Sequence, residues 1–305
     1  MLLRVIRSCI CQLSYTKQLD LANHSSLPLV KRPQTSLATA TMINESRAPL
    51  PFYRGFPVEN KYAWSAFVTK LEFRLRYSKL QYNVQEGTPS EGPNGKIPYV
   101  DIAPLKTGSP TAGPKELVGD STIIARTFIG QGLLPDLNAS LSPEKQVSDL
   151  GIRALLEDKL YFFNTCERWI DNFYVQRDGL FKSKPWPIRF IIGTLIHRKI
   201  VQTVHLQGCG RFTKAEQKDF RHEILQTLED VLAVKLKENK SPTEPFWVLG
   251  GAQATEGDFV LYAFINSNLV CTSCPDSTSF TRSLPSMMDY AGRIHDTYFP
   301  DYEKW

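Results

Sequence analysis

Cys271 and Cys274 form the one CxxC of the chain, Cys271-Thr272-Ser273-Cys274. That spacing suits thiol–disulfide exchange when the pair opens a helix directly after a strand. It suits zinc when a second CxxC or a His pair stands nearby. Neither context reads from the flanks. An apolar helical stretch precedes the pair, and Cys274-Pro275-Asp276-Ser277 reads as a loop, so redox and metal chemistry are disfavoured here. Cys9 and Cys11 lie near the start, Cys166 and Cys209 stand singly in the body, and six cysteines in 305 residues are too few for a disulfide scaffold. His197 and His205 sit eight apart on one helical stretch without a third ligand, and His222-Glu223 reads as a solvated pair. No metal set, nucleophile elbow or phosphate loop is found in the sequence. Acids and hydroxyls cluster at helix starts: Gly119-Asp120-Ser121, the capping box Thr213-Lys-Ala-Glu216, and Thr255-Glu-Gly-Asp258 ahead of an apolar run.

The elements that must hold these residues fall into two parts. Strands are expected over Leu50–Phe56, Gln81–Val84, Lys96–Ile102 and Glu116–Val118. A helix between the first two carries Trp64, Phe67, Val68, Leu71 and Leu75 at amphipathic spacing, and another runs through Ile123, Ile124 and Phe128. One strand–helix–strand crossover and one hairpin imply a mixed four-stranded sheet. Later elements all read as helices: 142–174, 187–207, 213–239, 255–270 and 286–298. The fold class is therefore an α/β domain over 50–132 followed by an all-helical domain over 133–305, with residues 1–49 as a disordered or targeting tail. Tyr161, Phe162, Phe163, Trp169, Phe173 and Tyr174 are a candidate lining for a hydrophobic ligand, although helical spacing makes core the default for Phe162, Cys166, Trp169 and Phe173.

Composition narrows the function. The net charge is +5, yet Arg4, Arg7, Lys17, Lys31 and Arg32 against Asp20 place +4 of it in residues 1–41. A body with a surplus of only +1 is a poor polyanion binder, so nucleic acid is discounted. No uncharged apolar run reaches the roughly 18 residues of a membrane span. A cytoplasmic protein is expected; alternatively, the basic, acid-free first nineteen residues form a mitochondrial transit peptide, or Met42 is the true start.

This layout resembles the glutathione S-transferase superfamily, a thioredoxin-like domain followed by an all-α glutathione transferase C-terminal-like domain. Lys96-Ile97-Pro98-Tyr99-Val100 is similar to the strand whose cis proline meets the cysteinyl backbone of glutathione. Gly119-Asp120-Ser121 resembles the acid–serine pair that holds its γ-glutamyl end, and Thr255-x-x-Asp258 the buried capping box of the helical domain. Ser65-Ala-Phe67-Val-Thr-Lys-Leu-Glu72, Gln207-Gly-Cys-Gly-Arg211 and the closing Tyr290-Ala-Gly-Arg293-Ile-His-Asp-Thr-Tyr298-Phe-Pro300-Asp301 resemble the metaxin and failed-axon-connections branch, with its fungal homologues.

The resemblance implies glutathione as co-substrate, bound by Ile97, Pro98, Asp120 and Ser121, and a hydrophobic small molecule as second partner. It implies Ser65 as the hydroxyl that stabilises the thiolate, with Tyr53 as runner-up; a homodimer is allowed. Capping stays open as the whole role of Ser65, Asp120 and Ser121. Val68 stands where the branch often has a cysteine, which disfavours thiol exchange. The short Pro/Gly-rich segment Glu86–Gly95, where a helix is usual, and the Thr107–Pro114 insertion are departures. Two functions follow: a transferase conjugating glutathione to an electrophile in detoxification or secondary metabolism, or a non-catalytic metaxin-like scaffold.

Overall fold

The computed structural model describes residues 48–55, 57–107 and 114–305. The expectations placed on the N-terminal tail, and on the centre of the Thr107–Pro114 insertion, fall outside the described residues. Two compact units emerge. One joins Leu75–Asp136 to the described residues up to 55; the other joins Pro57–Arg74 to Leu137–Trp305.

The first unit is built on four short strands, β1 (Leu50–Tyr53), β2 (Tyr82–Gln85), β3 (Tyr99–Asp101) and β4 (Leu117–Gly119), in the order β2-β1-β3-β4. β1 and β2 pair in parallel, Leu50 opposite Tyr82. The β1–β3 and β3–β4 pairs are antiparallel, so the sheet is mixed. β1 buries Leu50 and Phe52 and leaves Pro51 and Tyr53 partly exposed, the alternation a pleated strand imposes. β3 is shorter than the Lys96–Ile102 expectation because proline offers no N–H to the ladder, and pairing begins only after Pro98. Glu86–Gly95 holds only a single 3₁₀ turn, Pro93–Gly95. Two helices complete the unit's elements, α2 (Ala103–Thr107) and α3 (Ser121–Gly130); α2 has no counterpart in the sequence reading.

Between β1 and β2, helix α1 (Ala66–Tyr77) belongs through Arg74 to the second unit. Its apolar side is buried as the spacing predicts, with Val68, Leu71 and Leu75 fully inside. Its other side is buried as well, and there Lys70, Glu72 and Arg74 need partners. Lys70 Nζ lies 2.6 Å from Glu157, Arg74 Nε 2.9 Å from Glu256, and the Tyr302 hydroxyl donates to Glu72.

In the second unit α4 (Pro143–Ala154) opens on Ser142 and runs on without a break through a π-helical stretch Leu155–Leu160, α5 (Tyr161–Cys166) and a second π stretch Glu167–Asp171. α6 (Phe173–Leu180) and α7 (Trp186–Gln207) follow, then α8 (Lys214–Glu238) behind its Thr213–Glu216 capping box. The chain closes with α9 (Glu256–Val270), α10 (Pro275–Arg282) and α11 (Pro285–Tyr298). α10 corrects the sequence reading. Cys274-Pro275-Asp276-Ser277 is no loop but a helix start, because proline at the first turn lacks only an N–H that would have no helical partner.

Every residue of α9 from Gly257 to Leu269 is buried. Its cap is therefore buried too. The Asp258 carboxylate accepts from the amides of Val248 (2.7 Å) and Thr255 (2.8 Å) and from the hydroxyls of Thr255 and Tyr290 (both 3.0 Å). Burial outweighs these bonds and pushes its carboxyl up to about 6. An unfolded aspartic acid ionises near 3.9, so raising the pH through that window deprotonates the unfolded chain first. Asp258 therefore contributes less stability as pH rises from about 4 to 6, by about 3 kcal/mol, and nothing changes above. Asp258→Ala strands two buried amides and is expected to destabilise the protein by about 2–4 kcal/mol at pH 7. Urea denaturation at pH 4, 5 and 7 should find that loss, together with a flatter stability–pH curve between 4 and 6.

Candidate functional site

The candidate residues of the first unit meet where β3 enters the sheet. Tyr99 pairs with Gly119 in the antiparallel β3–β4 ladder. The ladder ends at that pair: Pro98 directly precedes Tyr99, and Asp120 directly follows Gly119. The Ile97–Pro98 peptide is cis, as the resemblance implies. Pro98 is buried and Ile97 partly exposed. Gly55, at φ 96°, lets the end of β1 approach the Ile97 side chain; a Cβ there would sit 3.2 Å from Ile97 Cδ1.

Asp120 has φ 72° and ψ 121°, a backbone conformation rare for a residue with a side chain. Such a conformation costs about 1–3 kcal/mol and persists where the surroundings impose it, commonly at ligand clamps. Its carboxylate caps α3 through one oxygen only: Oδ1 accepts from the amides of Thr122 (3.0 Å) and Ile123 (3.2 Å). Oδ2 takes no part in the cap. Ser121, next along, is buried at the first turn of α3. Capping is thus a real role of Asp120, and it engages half of the carboxylate.

Tyr53 reaches the same neighbourhood from β1, paired with Tyr99 across the ladder and stacked on it at 4.5 Å. Lys115 donates to the Tyr53 hydroxyl oxygen at 2.9 Å and lies over its ring. This bond holds the Lys115 ammonium above its ordinary range. Tyr99 is pushed up to about 12, first by burial and then by the negative charge of Glu91. The Thr88 amide and hydroxyl hold Glu91 down. Two glycines make room for Tyr99: a Cβ at Gly87 would lie 2.4 Å from its hydroxyl, and one at Gly92 2.6 Å from its ring. Lys115, Glu91 and these glycines escaped the sequence reading. Only the density of glycine between β2 and β3 hinted at a close approach.

Ser65 lies at the other unit's start of α1. Its carbonyl accepts from the amides of Val68 (3.1 Å) and Thr69 (3.3 Å), so it is the residue just ahead of the helix, and it is partly exposed. Thr255 and Asp258 form the reciprocal box described above, a structural device.

The remaining expectations divide. Cys166 and Cys209 do not stand singly: their sulfurs lie 3.8 Å apart in a buried cluster with Phe163 and Val204. Cys271 and Cys274 are buried, and all four thiols are free. The Cys274 thiol, with Arg168 behind it, holds Cys271 down to about 6, but burial closes both sulfurs to large substrates. His222 is not a solvated partner of Glu223. Its ring stacks on Phe280 at 3.7 Å, and Nε2 meets Asp276 at 3.1 Å. Phe163 stacks on Phe220 in the core, whereas Tyr174 is exposed. Among the described residues no group of three His, Cys, Asp or Glu side chains is arranged to hold a metal ion.

Comparison with known proteins follows from this geometry. Residues 66–173 match the family model described as the Glutathione S-transferase N-terminal domain. Glutathione transferase GSTFuA3 from Phanerochaete chrysosporium is similar in structure, with TM-score 0.53 at 14% identity over 85% of this chain and 99% of that one. A glutathione S-transferase from Methylobacterium radiotolerans, complexed with glutathione sulfonate, gives TM-score 0.49 at 13% identity over 85% and 97%. Ure2p in complex with glutathione gives 0.48 at 11% over 86% and 96%. The fold, a thioredoxin-like sheet followed by an all-α region, is the one this chain has in common with the first of these glutathione transferases.

The packing around Tyr99 gives a direct test. Gly92→Ala places a methyl 2.4 Å from the Lys96 carbonyl and is expected to cost about 1–3 kcal/mol and to change the near-UV circular dichroism of the tyrosines. Gly130→Ala meets nothing within 4 Å, so in the same denaturation series it should be neutral or stabilising by up to about 1 kcal/mol.

Proposed function

We propose that the protein binds glutathione on its thioredoxin-like unit and adds the glutathione thiolate to a hydrophobic electrophile, as a glutathione transferase-like enzyme. One observation supports this above the others: Asp120, in a strained backbone conformation with one carboxylate oxygen outside its helix cap, directly follows the Gly119 that pairs with Tyr99, the residue after the cis Ile97–Pro98 peptide. Oδ2 would pair with the γ-glutamyl ammonium and the Ser121 hydroxyl would donate to the adjoining carboxylate. The backbone flanking Pro98 would pair, antiparallel, with the cysteinyl part of the tripeptide. Each contact is charge-assisted or a full hydrogen bond, the kind that discriminates a peptide from other thiols.

A cysteine thiol has a pKa of roughly 8.5, and the thiolate is the nucleophile. Ser65 is the proposed group that favours it. A hydroxyl just ahead of a helix can donate to the sulfur while the first amides of α1 supply partial positive charge. The thiol proton leaves to solvent; the sulfur lone pair then forms the new bond to carbon as the electrophile's π bond breaks, and the atom that receives that electron pair takes a proton back from solvent. Tyr53 is the alternative donor: its oxygen accepts from Lys115, so its own proton remains to be given. Conjugation of this kind serves detoxification or secondary metabolism.

Retention on immobilised glutathione, with calorimetric titration, tests the reading. Asp120→Asn keeps the cap acceptor and should melt within about 0.5 kcal/mol of wild type while losing tenfold or more in affinity. Ser65→Ala should lower the rate of thiol addition to a chromogenic electrophile by about a hundredfold with glutathione binding retained. An unchanged rate there, with loss in Tyr53→Phe, would move the role to Tyr53. A folded wild-type protein without binding or activity would overturn the proposal in favour of the metaxin-like scaffold.

A further inference from the structure

α7 is a long helix with little to pack on. Of its 22 residues only Gly193 and Val204 are buried. Gly193 sits on the Arg177 side chain of α6, and His197 packs on Phe173. Its first turns nevertheless carry apolar residues into solvent. Trp186 and Phe190 stand at i and i+4, 40° apart at 100° per residue, on the same angular face as the buried Gly193 and Val204 further along the helix. Trp186 is 63% exposed and Phe190 46%, and their rings stack at 5.8 Å. Ile191 is exposed as well, about 100° round the helix from Phe190, and Tyr174 on α6 is 69% exposed.

The same region concentrates charge. Residues 172–201 hold Arg177, Lys182, Lys184, Arg189, Arg198 and Lys199 against the single acid Asp178, a local +5. Asp178 is already engaged by Arg177 at 2.8 Å and by Arg189 at 3.7 Å. Lys182 and Lys184 lie exposed in the turn before Trp186, and Arg198 and Lys199 on α7 itself.

An exposed, stacked aromatic pair beside Lys182 and Lys184 has few suitable partners. A second copy docking face to face would bring +5 against +5, which opposes association. A polyanion without an apolar phase would leave Trp186, Phe190 and Ile191 in water. An anionic bilayer surface answers both features: headgroups take the cations and the interfacial zone takes tryptophan and phenylalanine. α7 is long enough to span a bilayer, but Arg189, Arg198 and Lys199 forbid it, and no helix among the described residues is apolar enough to cross. We propose that the α6–α7 hairpin docks on anionic phospholipid membranes, with Trp186 and Phe190 entering the interface and Lys182 and Lys184 against the headgroups.

Flotation of the full-length protein with vesicles of phosphatidylcholine alone, or with 30% phosphatidylserine, tests this. Binding is expected to the anionic vesicles only, and to weaken with salt. Lys182→Gln with Lys184→Gln should lower partitioning about 30-fold, from about 1 kcal/mol for each lysine near the surface. Trp186→Ser with Phe190→Ser should lower it at least tenfold with an unchanged melting curve, since both side chains are exposed. Anionic-vesicle binding unaffected by either double variant would overturn the proposal by assigning it to the basic N-terminal residues. So would no vesicle binding, whether the protein instead self-associates through this face, losing the dimer in Trp186→Ser, or binds RNA.

Discussion

One pairing organises the candidate site: Tyr99, held between Tyr53 on one side and Gly119 on the other. The pairing of Tyr99 with Gly119 brings together the two segments that carry the cis Pro98 and Asp120. The same ring demands two glycines, Gly87 and Gly92, and ties Tyr53 and its Lys115 contact to the strand that carries the cis proline. The glycine-rich segment Glu86–Gly95 is thus a packing requirement of one aromatic side chain, and the brevity of its helix follows from that.

The second unit depends on a different constraint. A helix with an amphipathic sequence normally leaves its charged side in water, yet α1 buries Lys70, Glu72 and Arg74. Burying charges is costly unless each finds a partner, and removing one partner of a buried pair typically costs about 3–5 kcal/mol. Here the partners come from three distant points, Glu157, Glu256 and Tyr302, so the three contacts tie α1 to the π-helical stretch after α4, to the start of α9 and to the C-terminal segment. Such contacts add little net stability over a well-packed apolar interface, but they reject any other rotation of α1 about its axis. Ser65, at its first turn, inherits that orientation.

What the sequence discloses is uneven, for physical reasons. Helix starts are local: they follow from Ser142-Pro143 and from the Thr213 and Thr255 boxes, and these are legible. Proline misled at Pro275, where the turn reading competed with the first-turn helical position and lost. The burial of the polar side of α1 cannot be read from periodicity, because spacing reports where apolar residues are, not where charged ones find partners. Cys166 and Cys209 meet across 43 residues of chain, and His222 meets Phe280 across 58, distances at which no sequence pattern operates. Asp120 is legible as a cap, and Ser121 as the first residue of the helix it opens.

Charge shows the same limit most sharply. Summed from residue 42 onward the chain carries only +1, which argues against any anionic partner. Yet a sum weighs a residue on one side of a protein equally with one on the other, whereas the potential a partner feels decays over a Debye length of about 8 Å. The +5 of residues 172–201 means that the rest of that stretch is negative in aggregate, so the molecule presents a polarised surface with a neutral total. A large anionic surface reads the local field and not the sum. The discount applied to nucleic acid therefore needs a second argument. The exposed rings of Trp186 and Phe190 supply it, since phosphate chemistry alone gives them nothing to bury against.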